Sequence, residues 1–138
     1  MKLSKTSTYA SLALGYLATS DRPGPIQARH IASHLGIPTD SALKILQTLA
    51  RHQLIRSQLG RTGGYELHRP ADTISLLHVV EAIDGPLVSQ LPCGEVDGTL
   101  KAEFLLLQSA CDQVTGQLRR ELSCHSIADL AHPLALAG

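Results

Sequence analysis

The side chains best suited to chemistry in this 138-residue chain are three cysteines, Cys93, Cys111 and Cys124, and two histidines one helical turn apart, His30 and His34. Thiolates are soft metal ligands and are also readily oxidised. A histidine pair at i, i+4 shares one helix face and can offer two ligands to a metal. Spacing argues against a metal centre. No histidine stands at a ligand spacing from the cysteines, and no third ligand accompanies His30 and His34, which therefore read as surface residues. Cys111 falls on an apolar repeat and reads as a small buried hydrophobe. Cys93, beside Gly94 in a segment with no clear period, is the candidate sensor thiol, acting alone or with a partner cysteine. An odd cysteine count without a secretory signal fits a reducing compartment. The chain has no Walker phosphate loop, no Gly-x-Ser-x-Gly elbow and no His-Glu-x-x-His helix. An enzyme is not expected.

The stretch that could position a functional surface is Ile26 to Pro70. Apolar residues recur at helical spacing in two short blocks, Ile31-Ala32-Leu35 and Ala42-Leu43-Ile45-Leu46-Leu49. Gly36 between them suits a helix end, and Ile37-Pro38 a restart. This is a helix-turn-helix pattern, with a support helix over 27–35 and a recognition helix over about 39–52. Side chains at the start of a recognition helix meet base edges in the major groove. That nominates Thr39, Asp40, Ser41 and Lys44; the first three are also ordinary N-cap residues, so capping is the rival role. Next, Leu54-Ile55-Arg56-Ser57 and Gly64-Tyr65-Glu66-Leu67 read as strands around a glycine-rich turn. Gly60, Gly63 and Gly64 permit positive φ and close backbone approach, and Arg61 projects from the tip. An arginine on a narrow ribbon suits a minor groove, where negative potential concentrates. Two helices and an arginine-tipped hairpin make a winged helix, a shape used to bind double-stranded DNA. Lys5, Arg56 and Arg69 are candidate phosphate contacts.

Net charge is zero overall but divided along the chain. Residues 1–70 hold nine Lys/Arg against three acids, a balance of +6, and residues 71–138 the reverse, −6. A basic half can neutralise phosphates while an acidic half is kept off the nucleic acid. The periodicity predicts a first helix over about Ser4–Thr19 with Tyr9, Leu12, Ala13, Tyr16 and Leu17 on its apolar stripe, and a helix over 73–84 capped at Thr73 or Ser75 and stopped by Gly85-Pro86. His78 in the latter reads as a surface residue. A long helix follows, about Thr99–Ser123, in which Leu100, Phe104, Leu107, Cys111, Val114, Leu118 and Leu122 form a heptad-like seam suited to a partner helix. With 43% hydrophobic residues and almost no large aromatics, the core must be aliphatic. No apolar run reaches membrane-span length, and Thr6, Ser7, Thr8 and Ser11 interrupt the N-terminal one, so neither a membrane protein nor a signal peptide is expected. The expected location is the cytoplasm.

Four segments together resemble the Rrf-two family of bacterial winged-helix regulators: MKLSKTSTYA at the start, IPTDSALKIL in the recognition helix, GRTGGYEL in the wing and ISLLHVVEAIDGP after it. The late SIADL, residues 126–130, is similar to the family's short terminal helix. The group includes the iron–sulfur cluster regulator, the nitric-oxide-sensitive repressor and the cysteine-metabolism repressor. The resemblance implies a mainly α fold with a small β-hairpin wing. Residues 1–86 would be a winged helix-turn-helix DNA-binding domain, and 87–138 a loop, a long dimerisation helix and a short terminal helix. It also implies a homodimeric repressor or activator at near-palindromic operators. Members that hold an iron–sulfur cluster place three cysteines close together in the loop before the long helix. Only Cys93 matches that cluster here, so no standard iron–sulfur site is expected, although Glu95, Asp97 and His34 are other ligand types within the chain. An oxidisable Cys93, a small-molecule effector between the winged domain and the long helix, and control by abundance alone all stay open as signal inputs. A winged helix can also serve as a protein-interaction module. That role would need neither Arg61 nor the basic half, and steep salt dependence of duplex binding separates the two.

Overall fold

Local sequence sets where each helix starts and stops. The computed structural model describes residues 1–21 and 23–131; Arg22, one of the basic residues of the N-terminal half, and residues 132–138 lie outside them. Helix α1 spans Lys5–Thr19, and the Ser4 side chain caps it by accepting from the Ser7 amide at 3.0 Å. Helix α2, Ala28–Leu35, ends on Gly36, whose φ of 69° is the left-handed turn a glycine adopts without strain. Helix α3, Thr39–Arg51, follows at once and buries Ala42, Ile45, Leu46 and Leu49. Strands β1, Ile55–Gln58, and β2, Gly64–Leu67, pair antiparallel with Ile55 opposite Leu67 and Gln58 opposite Gly64. Leu54, expected to open β1, instead sits in the core, and its carbonyl accepts from the His68 amide at 3.1 Å.

Ile26 pairs with the other edge of β2 as a one-residue bridge, exchanging amide–carbonyl bonds with Tyr65 at 2.9 and 2.8 Å. Helix α4, Leu76–Asp84, begins at Ser75 after a single 3-10 turn over Ala71–Thr73 and stops at Gly85. The cap is reciprocal. Ser75 Oγ accepts from the His78 amide, and His78 Nδ1 accepts from the Ser75 amide at 3.0 Å. His78 is thus an exposed helix-surface residue with a capping role that its sequence position did not announce.

The apolar stripe of α1 differs from the expected one. Leu12 is 50% exposed, and the helix buries Ser7, Ala10, Ser11, Ala13, Leu14 and Gly15 instead. The reason is centrality. Helices α2, α3, α4 and α6 all pack on α1, and neighbours on several sides select small residues over bulk. Tyr9, Tyr16 and Leu17 are only partly buried against this core.

Helix α5, Lys101–Cys124, is the long one, and α6, Ile127–Ala131, the short one after it. The α5–α6 turn is stitched to the start of α4: Leu76 N donates to His125 O and Ile127 N to Ile74 O, each at 2.8 Å. This returns α6 to α1, and Ile127 is wholly buried in the same core as Leu14, Ile31 and Leu49. Residues 127–131, late in the sequence, therefore complete the winged-helix core. Most of α5 does not. Leu122 is its buried residue, whereas Leu100, Leu105, Leu106, Leu107 and Val114 are each more than half exposed.

Candidate nucleic-acid interface

The first turn of α3 carries the predicted reading residues. Pro38, not Thr39, Asp40 or Ser41, occupies the N-cap position, and no side chain caps the helix. The capping role that rivalled base contact for these three residues is therefore not the one they take. Thr39, Asp40, Ser41 and Lys44 are all exposed, as a surface that meets another molecule must be. Asp40 lies in the first turn, where the helix dipole favours a negative charge.

The hairpin loop is shaped by glycines in two different ways. Gly60 and Gly64 have φ of 105° and 147°, in the region where side chains are strained. Gly63 does not share that conformation. Its role is close approach: a Cβ there would lie 2.1 Å from the Gln58 carbonyl oxygen. Arg61 stands exposed at the tip, and its carbonyl accepts from Gln27 Nε2 at 3.2 Å. Gln27, which also accepts from Arg29 Nε at 2.7 Å, thus moors the wing to the start of α2. The sequence reading missed Gln27, since nothing local signals a contact between residues so far apart in the chain.

The predicted cations separate into two groups. Arg56 pairs with Glu66, its cross-strand neighbour, at 2.7 Å, and Arg69 donates to the Thr73 carbonyl and closes the turn before α4. Both make contacts within the chain, although 60% of the Arg56 side chain stays open to solvent. Lys5, Lys44 and Arg61 have no carboxylate within ion-pairing distance among the described residues. Lys5 lies 6.0 Å from the ring centre of Tyr9. Lys5 and Lys44, far apart in sequence, line one cleft of about 490 Å³ between the start of α1, the exposed face of α3 and Ile83 of α4. Folding has brought a nominated phosphate contact, Lys5, and a nominated base reader, Lys44, to a single place.

The potential sensor groups are not brought together. Cys93 and Cys124 are exposed, Cys111 is half-buried on α5 near Leu91, and all three are free thiols. Cys111 is less buried than a core hydrophobe would be. His34 stacks on the Tyr16 ring, with centroids 4.0 Å apart and planes 12° from parallel, which gives it a packing role. Among the described residues, no three His, Cys, Asp or Glu side chains approach closely enough to hold a metal ion. The donors of one chain do not fit an iron–sulfur cluster of the one-loop kind.

Between the winged domain and α5 lies a small polar joint. Arg119 of α5 donates to Glu81 of α4 at 2.6 Å, and the same carboxylate oxygen accepts from the Leu87 amide at 2.9 Å. The Arg119 hydrogen bond, helped by the Leu87 amide, holds the Glu81 carboxyl below its ordinary value despite some desolvation. Two turns earlier on α5, Asp112 accepts from Ser89 and from Gln108, and these bonds hold its carboxyl below the ordinary value in the same way.

Comparison with known proteins gives one answer. The family model described as Rrf2, iron-dependent transcriptional regulator, matches residues 3–133. A Mycobacterium tuberculosis protein provisionally named HTH-type transcriptional regulator Rv1287 is 34% identical over 95% of this chain and 81% of its own length. The HTH-type transcriptional regulator IscR of Erwinia tasmaniensis is 28% identical over 99% of this chain and 77% of its own. Among solved structures, CymR, the global cysteine regulator of B. subtilis, superposes with a TM-score of 0.72 at 20% identity, covering 95% of this chain and 96% of CymR. T. potens IscR gives 0.73 at 21% identity, covering 97% and 88%. Those two likenesses establish the winged-helix fold with its long C-terminal helix. With the match over nearly its whole length, the chain belongs to the Rrf2 family and is a DNA-binding transcriptional regulator.

Proposed function

We propose that this regulator works as a homodimeric repressor in the cytoplasm, seating two recognition helices in successive major grooves of a near-palindromic operator. The observation that carries this reading is the uncapped, exposed first turn of α3, with Thr39, Asp40 and Ser41 free to meet base edges and Lys44 one turn on. Arg61 at the wing tip enters the adjacent minor groove, and Lys5 neutralises a phosphate. Arg56 and Arg69 contribute mainly through the hairpin and turn that they brace. Dimerisation rests on α5, whose exposed leucines and valine stay open to solvent in the single chain and suit a second copy of the helix. Two half-sites then multiply affinity and specificity. No described helix is long and apolar enough to cross a membrane.

A random duplex pool selected on the purified protein should enrich two inverted half-sites about one helical turn apart. On that duplex, Arg61→Ala should weaken binding by roughly tenfold or more, with the sedimentation coefficient unchanged. Failure to enrich any motif would leave the fold as a protein-interaction module. An Arg61→Ala protein that binds as tightly as wild type would remove the wing from the interface.

A further inference from the structure

The cleft shared by α1, α3 and α4 is larger and more apolar than a phosphate seat requires. Its floor is made by Ile37, Ile45 and Ile83, and the Tyr9 ring forms one wall. Lys5 and Lys44 stand at its edge without carboxylate partners among the described residues. Its volume of about 490 Å³ falls in the range of small-molecule sites, about 300–1,000 Å³. A phosphodiester would satisfy the two ammonium groups but leave the isoleucine floor wet. A molecule with one anionic end and a compact apolar body fills both. We propose that this cleft binds a small amphipathic organic anion, its charge between Lys5 and Lys44 and its apolar part over Ile37, Ile45 and Ile83.

The site has a regulatory consequence. Lys5, Ser41 and Lys44 line the cleft and are also among the residues assigned above to DNA, so an occupant competes directly with the operator. It offsets positive charge that the operator would otherwise meet and covers part of the reading surface, in keeping with an inducing effector. This consequence rests on the proposed DNA interface; the binding site itself does not.

Sodium 1-naphthoate is a suitable probe. Titrated into the isotope-labelled full-length protein, it should cause saturable amide shifts at Thr6, Ser41, Lys44, Thr48 and Ile83, with half-saturation below about 1 mM. Neutral 1-naphthamide should bind at least about tenfold more weakly, because it lacks the charge. Thr6→Glu, which adds a carboxylate at an exposed position on the rim, should weaken naphthoate at least about tenfold, whereas Thr6→Gln should not. Shifts confined to α5, or no shifts, would overturn the site. Inorganic phosphate binding there as tightly as naphthoate would reduce it to a phosphate seat and overturn the proposal equally. Duplex binding is measured separately. Naphthoate should weaken it in the wild type, and a duplex affinity indifferent to naphthoate would overturn the competition while leaving the site. Absence of duplex binding without any naphthoate would instead sink the DNA interface.

Discussion

Glu81 and Arg119 join the winged domain to the long helix through a single carboxylate oxygen, which also accepts from the Leu87 amide. Three segments, α4, the start of the connecting loop and the second half of α5, therefore meet at one charge. The pair is only partly exposed, with 26% of the Glu81 side chain and 39% of Arg119 open to solvent, so it outweighs a typical surface ion pair modestly rather than greatly.

That geometry fixes a pH dependence. Because the native carboxyl is held below its ordinary value of 4.5, its contribution to stability is complete above pH 4.5 and disappears as pH falls through the lower native value. Glu81→Gln should be less stable than wild type by about 1 kcal/mol at pH 7. The gap should close in acid, as read by urea denaturation of both proteins from pH 7 down to pH 3. An equal gap at every pH would mean that the charge does not matter.

At the last residue of α4, Asp84 accepts from both Ser4 Oγ, at 3.0 and 2.9 Å, and Ser7 Oγ, at 2.8 Å. Ser7 is wholly buried. Asp84→Ala strands that hydroxyl and should cost about 1–3 kcal/mol. In a Ser7→Ala background the same change should cost at least about 0.5 kcal/mol less, a coupling that a double-mutant cycle measures. Strict additivity would rule out the shared bond.

The wing glycines should differ from ordinary loop positions. Gly64 combines a φ of 147° with an Ile26 carbonyl that an added Cβ would meet at 2.4 Å. Gly64→Ala should destabilise by about 2 kcal/mol or more, and Gly24→Ala, with positive φ but open space, by less. Thermal unfolding of the two variants makes the comparison. An equal loss would show that backbone conformation alone decides, and that packing of Ile26 on the hairpin is loose.

On α5, Leu107 and Val114 are 55% and 64% exposed in the single chain, so charges there leave the monomer fold intact. Leu107→Asp with Val114→Asp should sediment as a monomer at concentrations where the wild type is dimeric. It should also bind a two-half-site operator at least about a hundredfold more weakly. A dimer that survived both changes would place the interface elsewhere.

The sequence alone determined what depends on near neighbours. Gly36 and Pro38 divided α2 from α3, Gly85 stopped α4 while its cap was left between Thr73 and Ser75, and the heptad step marked α5, because caps, breakers and periodicity act within a turn or two of chain. The resemblance of four segments to the Rrf2 family implied the winged helix and its long C-terminal helix. Tertiary structure decided the rest. It exposed Leu12 and buried Ser7 and Ser11, because α1 is crowded on several sides rather than one. It made Pro38 the N-cap, paired Arg56 with Glu66 and Arg69 with Thr73, and tied Arg61 to Gln27. It also drew Lys5 and Lys44 to one cleft. Such contacts join residues distant in sequence, and no local pattern carries their partners; they arise only when packing sets the distance between elements.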